Sequence, residues 1–115
     1  MEIAVGNLLR TAHDPADREH IHSLLANDAL RIEQIVSYGH PSPAGFWYDQ
    51  LDPEWVLLVQ GAATLSFEGE GDVSLTAGDY LLIPAHRRHR VDSVSADARW
   101  LAVHFRQRQL SRPSA

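Results

Sequence analysis

The sequence predicts an all-β barrel or sandwich. About eight short apolar runs recur at roughly 8–12-residue spacing. Within some of them apolar and polar side chains alternate, as Ala63, Leu65 and Phe67 do against Thr64, Ser66 and Glu68. The gaps between runs hold glycine, proline and aspartate, the residues that close tight turns.

Taken in order, the segment HDPADREHIHSLLAND, residues 13 to 28, reads as one short N-terminal helix centred on residues 14 to 27. Asp14 suits the N-cap, Pro15 the first helical position, and Ile21, Leu24 and Leu25 share a face at helical spacing. From Leu30 the pattern changes to strands. LRIEQIVSYG runs to Gly39, and GHPSPAG is loop. FWYDQ and EWVLLVQ are strand-like on either side of Leu51-Asp52-Pro53. ATLSFEG, DVSLT, YLLIP, HRVDSV and RWLAVHF complete the set, with turns at Gly61, GEGD and AGD. The expected organisation is an N-terminal segment with its helix over 1–29, a barrel over 30–106 and a flexible tail over 107–115.

The 115-residue length suits one domain. The absence of cysteine excludes disulfides, thiolate metal sites and a cysteine nucleophile, and agrees with a reducing compartment. All ten basic residues are arginine, so lysine Schiff-base chemistry is excluded. A formal net charge of −5 argues against nucleic acid as a partner. No apolar run approaches the roughly 20 residues that span a bilayer. The opening MEIAVGNLLR lacks a basic start followed by a long apolar run, and a cytoplasmic location is expected. Charge is uneven: residues 86 to 115 carry seven arginines against two acids, and the remainder three against thirteen. Antiparallel neighbours would mix these signs, or they would form a basic lip for an anionic molecule.

Two segments resemble the paired motifs of the cupin superfamily. Glu54-x6-Gly61, EWVLLVQG, matches the second half of the first motif, G-x5-H-x-H-x3-4-E-x6-G. GDYLLIPAHRRHRVDS, with Gly78, Pro84 and His89, matches the second motif, G-x5-P-x-G-x2-H-x3-N, at all but two positions. The run SPAGFWYDQLDPEWVLLVQG with IPAHRRHRV looks like a group of small single-domain bacterial cupins of unassigned function. The resemblance implies a cupin-type double-stranded β-helix, a jelly-roll barrel, with its site inside.

In metal-binding cupins two first-motif histidines, the glutamate and the second-motif histidine converge on one ion. The resemblance places Glu54 and His89 at the last two positions, whereas Tyr48 and Gln50 stand where the H-x-H histidines usually are. Tyr48 and Gln50 share one strand face and Glu54, Val56 and Leu58 another, and a barrel would turn both rows inward. His86, in the motif's glycine position, and Gln50, through its carbonyl oxygen, are candidates to replace the missing ligands. The implied pocket is therefore Tyr48, Gln50, Glu54 and His89. The implied metal set is Glu54, His89, His86 and Gln50, suited to one divalent ion of Zn, Fe, Mn, Ni or Cu. His104 shares a face with Trp100 and Ala102, but which face lines the cavity is open. Without a cation, Glu54 needs an arginine such as Arg88 or Arg90. His13, His20, His22 and His40 read as surface residues, and no catalytic residue is assigned.

Three functions follow in order of preference: a small-molecule protein or enzyme with a polar, metal-binding pocket; a binding or sensing module without metal; and a purely structural protein. Exposed edge strands favour a homodimer, contributed by the N-terminal strand or helix.

Overall fold

The computed structural model describes residues 2–10 and 19–107. Hairpin turns and β-branched runs give eight strands: β1 (His20–Ala26), β2 (Leu30–Val36), β3 (Glu54–Gln60), β4 (Ala62–Phe67), β5 (Gly71–Thr76), β6 (Tyr80–Ile83), β7 (His89–Val94) and β8 (Arg99–Phe105). They form a five-stranded sheet, β1-β2-β8-β3-β6, and a three-stranded sheet, β5-β4-β7, in which every pairing is antiparallel. The inner rows, among them Val56, Leu58, Leu65, Ile83 and Trp100, pack into one apolar core between the sheets. This is the expected jelly-roll architecture. Among the described residues no helix is long and apolar enough to cross a membrane.

The N-terminal helix is a correction. His20–Ala26 is a strand along the edge of β2, and no helix occurs in the described residues. Asp14 and Pro15 lie outside the described residues, as do residues 108–115 of the expected tail. The misleading spacing has a local cause. The β1–β2 register shifts between Ser23 and Leu25. Ile21 stands opposite Ile35 on the inner face, while Leu25 stands opposite Ile32 on the outer face. A bulge of this kind inverts the period-2 alternation and leaves apolar residues three and four apart, which imitates a helix.

FWYDQ is also not a strand. Tyr48 makes one isolated bridge to His89, with Tyr48 N–H donating to the His89 carbonyl at 2.7 Å and His89 N–H donating back at 3.1 Å. The remainder is loop, set between the prolines of GHPSPAG and Pro53.

Gly61 turns β3 into β4 with φ of 94°, and a Cβ there would lie 2.8 Å from the Cα of Ala98. Gly78 has a similar φ, 97°, but open space around it. Gly78→Ala should therefore cost about 1–2 kcal/mol from backbone strain alone, and Gly61→Ala roughly 3 kcal/mol or more, because backbone must also move. Urea denaturation of both variants checks the difference.

Candidate functional site

The site is built on the inner face of the five-stranded sheet. Antiparallel register sets Glu54, the first residue of β3, opposite His104 of β8 and opposite Ile83 of β6. The next strand over places Arg31 opposite His104 and Glu33 opposite Ala102. Directly paired residues share a face, so Glu54, His104, Arg31 and Glu33 all point the same way. His89 opens β7 in the other sheet and faces them across the barrel. Together these side chains line a cavity of about 210 Å³, walled also by Tyr48, Gln50, Glu19 and apolar groups including Ile35, Val56, Leu65 and Trp100.

The polar groups form a chain. Arg31 Nε lies 3.3 Å from Glu33 Oε2, and Glu33 Oε1 lies 3.1 Å from His104 Nε2. Glu54 Oε2 is 3.6 Å from His104 Nε2, and Oε1 is 3.9 Å from His89 Nε2. His89 Nδ1 lies 2.8 Å from the Arg87 carbonyl. A carbonyl only accepts, so Nδ1 carries the proton, and a neutral ring keeps its Nε2 lone pair toward Glu54. Burial holds His89 below the usual imidazole range, opposed by the Arg87 carbonyl. Burial, with help from Arg31, does the same to His104, whose bond to Glu33 then runs from Nε2–H.

Glu54 is thus 7 % exposed, and the ring nitrogens that flank it stand beyond hydrogen-bond reach. Desolvation, with the added repulsion of Glu33 and Glu19 set against the pull of Arg31, pushes its carboxyl up to about 7. Glu19 is raised by burial. The Tyr48 hydroxyl is raised by burial and by the two nearby carboxylates, Glu19 and Glu54. Its ring stacks on His89 at 5.4 Å between centroids.

The structure brings Tyr48, Gln50, Glu54 and His89 to one cavity. It does not bring His86. That residue adopts φ of 61° in the turn after Pro84, where the usual motif has glycine, and its side chain is 64 % exposed. Its Nδ1 pairs with Asp49 Oδ1 at 2.8 Å outside the cavity. The arginines proposed as counterions to Glu54 go elsewhere: Arg88 pairs with Glu68 and Arg90 donates to the Ser42 carbonyl. The inward face of β8 is the one carrying His104, which settles a question left open by parity. Glu33, Arg31 and Glu19 were missed altogether. The signal for the first two was Arg31-x-Glu33-x-Ile35, one face of a strand with two charges on it.

The fold is a β-helix barrel whose inner wall carries an acid–imidazole chain beside apolar side chains. The family described as "Cupin domain" matches residues 39–104. This chain belongs to the cupin superfamily. Among solved structures it resembles a protein of Ralstonia eutropha JMP134 provisionally named a mannose-6-phosphate isomerase, at 40 % identity over 91 % of this chain and 100 % of that one, with a TM-score of 0.86. A cupin superfamily protein of Desulfitobacterium hafniense follows at 18 % identity, covering 87 % of this chain and 88 % of that one, TM-score 0.74. An RmlC-like cupin of Methanocaldococcus jannaschii with a double-stranded β-helix is similar at 17 % identity, covering 91 % and 92 %, TM-score 0.70. These last two likenesses concern the fold alone. No curated protein matches the chain.

Cupins often hold a metal ion, and the donor set tests whether this one fits. The usual four-ligand centre does not. Tyr48 and Gln50 replace two imidazoles, His86 is outside, and the proton of His104 Nε2 is directed at Glu33. Among the described residues no group of three or more His, Cys, Asp or Glu is arranged to hold a metal ion. Glu54, His89 and the buried, unpartnered Oε1 of Gln50 remain.

The raised Glu54 carboxyl makes a stability prediction. The folded chain holds this proton more tightly than the unfolded chain, whose carboxyl titrates near 4.5. Folding is therefore undisturbed by Glu54 below about pH 4.5, loses stability as pH rises, and bears the full penalty above about 7. In chelator-treated protein Glu54→Gln should be more stable than the parent by on the order of 2–3 kcal/mol at pH 8.5, with the difference vanishing toward pH 4.5. The difference between the two chains isolates Glu54 from the histidines, whose lowered values act oppositely. Urea titrations across that range read it out.

Proposed function

We propose that the barrel binds a small polar molecule, neutral or cationic, and exchanges a proton with it through Glu54, without a resident metal. The observation that carries this reading is the geometry around Glu54: its buried carboxyl, which desolvation pushes up to about 7, lies between the His89 and His104 rings with neither in hydrogen-bond reach. A buried group poised near neutral pH in a cavity is suited to both giving and taking a proton. His89 supports it as an acceptor held in one tautomer by the Arg87 carbonyl. Glu33 and Arg31 orient His104. Tyr48 and the Gln50 carbonyl oxygen supply hydrogen bonds to a ligand's hydroxyl or amine groups.

The name of the Ralstonia protein suggests proton transfer on a sugar phosphate, and the first half of that suggestion suits this cavity better than the second. Isomerising an aldose to a ketose needs a base that carries a proton between neighbouring carbons, which Glu54 can be. A phosphate needs unpaired cations. Here Arg31 is tied to Glu33, and Glu19 and Glu54 add two further carboxyls. Bringing a dianion into that wall would meet like charge at low dielectric.

Calorimetry on untagged protein against free hexoses, polyols, small amines and mannose 6-phosphate tests the reading. The expected result is binding in the neutral or cationic group, lost by roughly 100-fold or more in Glu54→Gln or His104→Ala and unchanged in His86→Ala, with an ionisation near 7 in its pH profile. Tight binding of mannose 6-phosphate instead would overturn the ligand class. About one equivalent of transition metal in the purified protein would overturn the metal-free mechanism and place the ion on Glu54, His89 and Gln50.

A further inference from the structure

The polar end of the cavity presents acceptors that nothing in the chain satisfies. Glu54 is 7 % exposed and has no hydrogen-bond partner among the described residues. His89, 5 % exposed, commits Nδ1–H to the Arg87 carbonyl and leaves its Nε2 lone pair on the side of Glu54. Gln50, reaching in from the loop before β3, has a buried Oε1 without a hydrogen-bond partner. Three acceptor groups from three separate segments thus line one space. The donors of the neighbouring strands are engaged: His104 Nε2 and Arg31 Nε both lie against Glu33. An unmade hydrogen bond at a buried acceptor costs free energy, so a ligand group that brings several donors is favoured there.

Charge points the same way. The cavity wall holds Glu19, Glu33 and Glu54 against Arg31, and Arg31 is paired with Glu33. Among the described residues no arginine pairs with Glu19 or Glu54. A positive ligand group supplies the missing counterion in a setting that few waters screen. An ammonium group carries three N–H donors, one for each acceptor, whereas a hydroxyl carries one.

Further along the strands the wall is apolar. Two residues beyond Glu54 on the same face of β3 stands Val56, opposite Ala102, and two beyond that Leu58, opposite Trp100. Trp100 stands in turn opposite Ile35, and Ile35 opposite Ile21. Ile21 lines the cavity yet is 56 % exposed, so the apolar wall continues out to solvent. A hexose or polyol would set hydroxyls against this wall with nothing to bond, whereas an alkyl or aryl group suits it. At about 210 Å³ the cavity lies below the roughly 300 Å³ at which sites for drug-sized molecules begin, which keeps the ligand compact.

We propose that the ligand is a compact primary amine with an apolar tail, its ammonium held by Glu54, His89 Nε2 and Gln50 Oε1 and its tail lying along Val56, Trp100 and Ile35. This rests on the metal-free pocket around Glu54 proposed above and narrows its ligand class to one.

Calorimetry with three molecules of nearly one shape tests it. Benzylamine, benzyl alcohol and benzoate are each titrated into untagged protein whose metal content has been measured. Benzylamine should bind roughly 30-fold or more tightly than benzyl alcohol, because hydrogen bonds from a charged donor are the stronger ones, and benzoate should not bind. From ethylamine to butylamine each added methylene should tighten binding about fourfold. Gln50→Leu should weaken benzylamine roughly tenfold. Should that variant misfold, the two ligand series on the unaltered protein decide alone. Equal affinity for alcohol and amine, no gain with chain length, or amine binding that survives both Gln50→Leu and Glu54→Gln would overturn the proposal. Tighter binding of a free hexose or polyol than of any amine overturns the amine assignment alone and leaves the proton-exchanging pocket standing. About one equivalent of bound transition metal overturns both.

Discussion

The register between β3 and β8 puts Glu54 directly opposite His104, and the rest of the pocket depends on that pairing. With it in place, β2 must present Arg31 and Glu33 to the same space, because β8 pairs with β2 on its other side. A slip of one residue would turn Glu54 out to solvent and bring Trp55 in. The apolar residues that follow Glu54 on its face, Val56 and Leu58, resist such a slip because both are core. Packing energy along the strand therefore holds a carboxyl where desolvation opposes it.

That opposition is local. Burial and two neighbouring carboxylates disfavour the ionised Glu54, and Arg31 compensates only in part. The surrounding sheets are stable enough to hold it. Strain of this kind placed in a cavity is a general mark of functional sites, since the same core without the acid would be easier to build. Desolvation is also the largest cause of the lowering of both imidazoles, so one buried setting acts on all three titratable groups, with Arg31, Glu33 and the Arg87 carbonyl adding their separate effects.

The two faces of the five-stranded sheet divide the labour. Parity sends Glu54 and His104 inward, and their chain neighbours Trp55, Val103 and Phe105 outward. Pocket and outer apolar face are thus alternate residues of the same strands. A substitution on one side acts on the other only through the backbone they share.

The all-β fold was legible in the sequence because strand spacing, turn residues and alternation are local signals that all agreed. That Glu54 and His89 face one cavity was legible through motif position alone. What failed were features decided by contacts between distant segments. The apparent helix at His20–Ala26 came from a bulge, which exists only in relation to β2. His86 lay three residues from His89, but a turn with positive φ sent its ring to Asp49. Glu33 and Arg31 carried no motif, and no local pattern says which face of a strand with polar residues on both sides will be enclosed. Sequence by itself determined that this chain is a cupin barrel with a polar group at the start of β3. Only the tertiary structure decided which charges meet that group, because pairing register and desolvation are properties of strands brought together and not of any one of them.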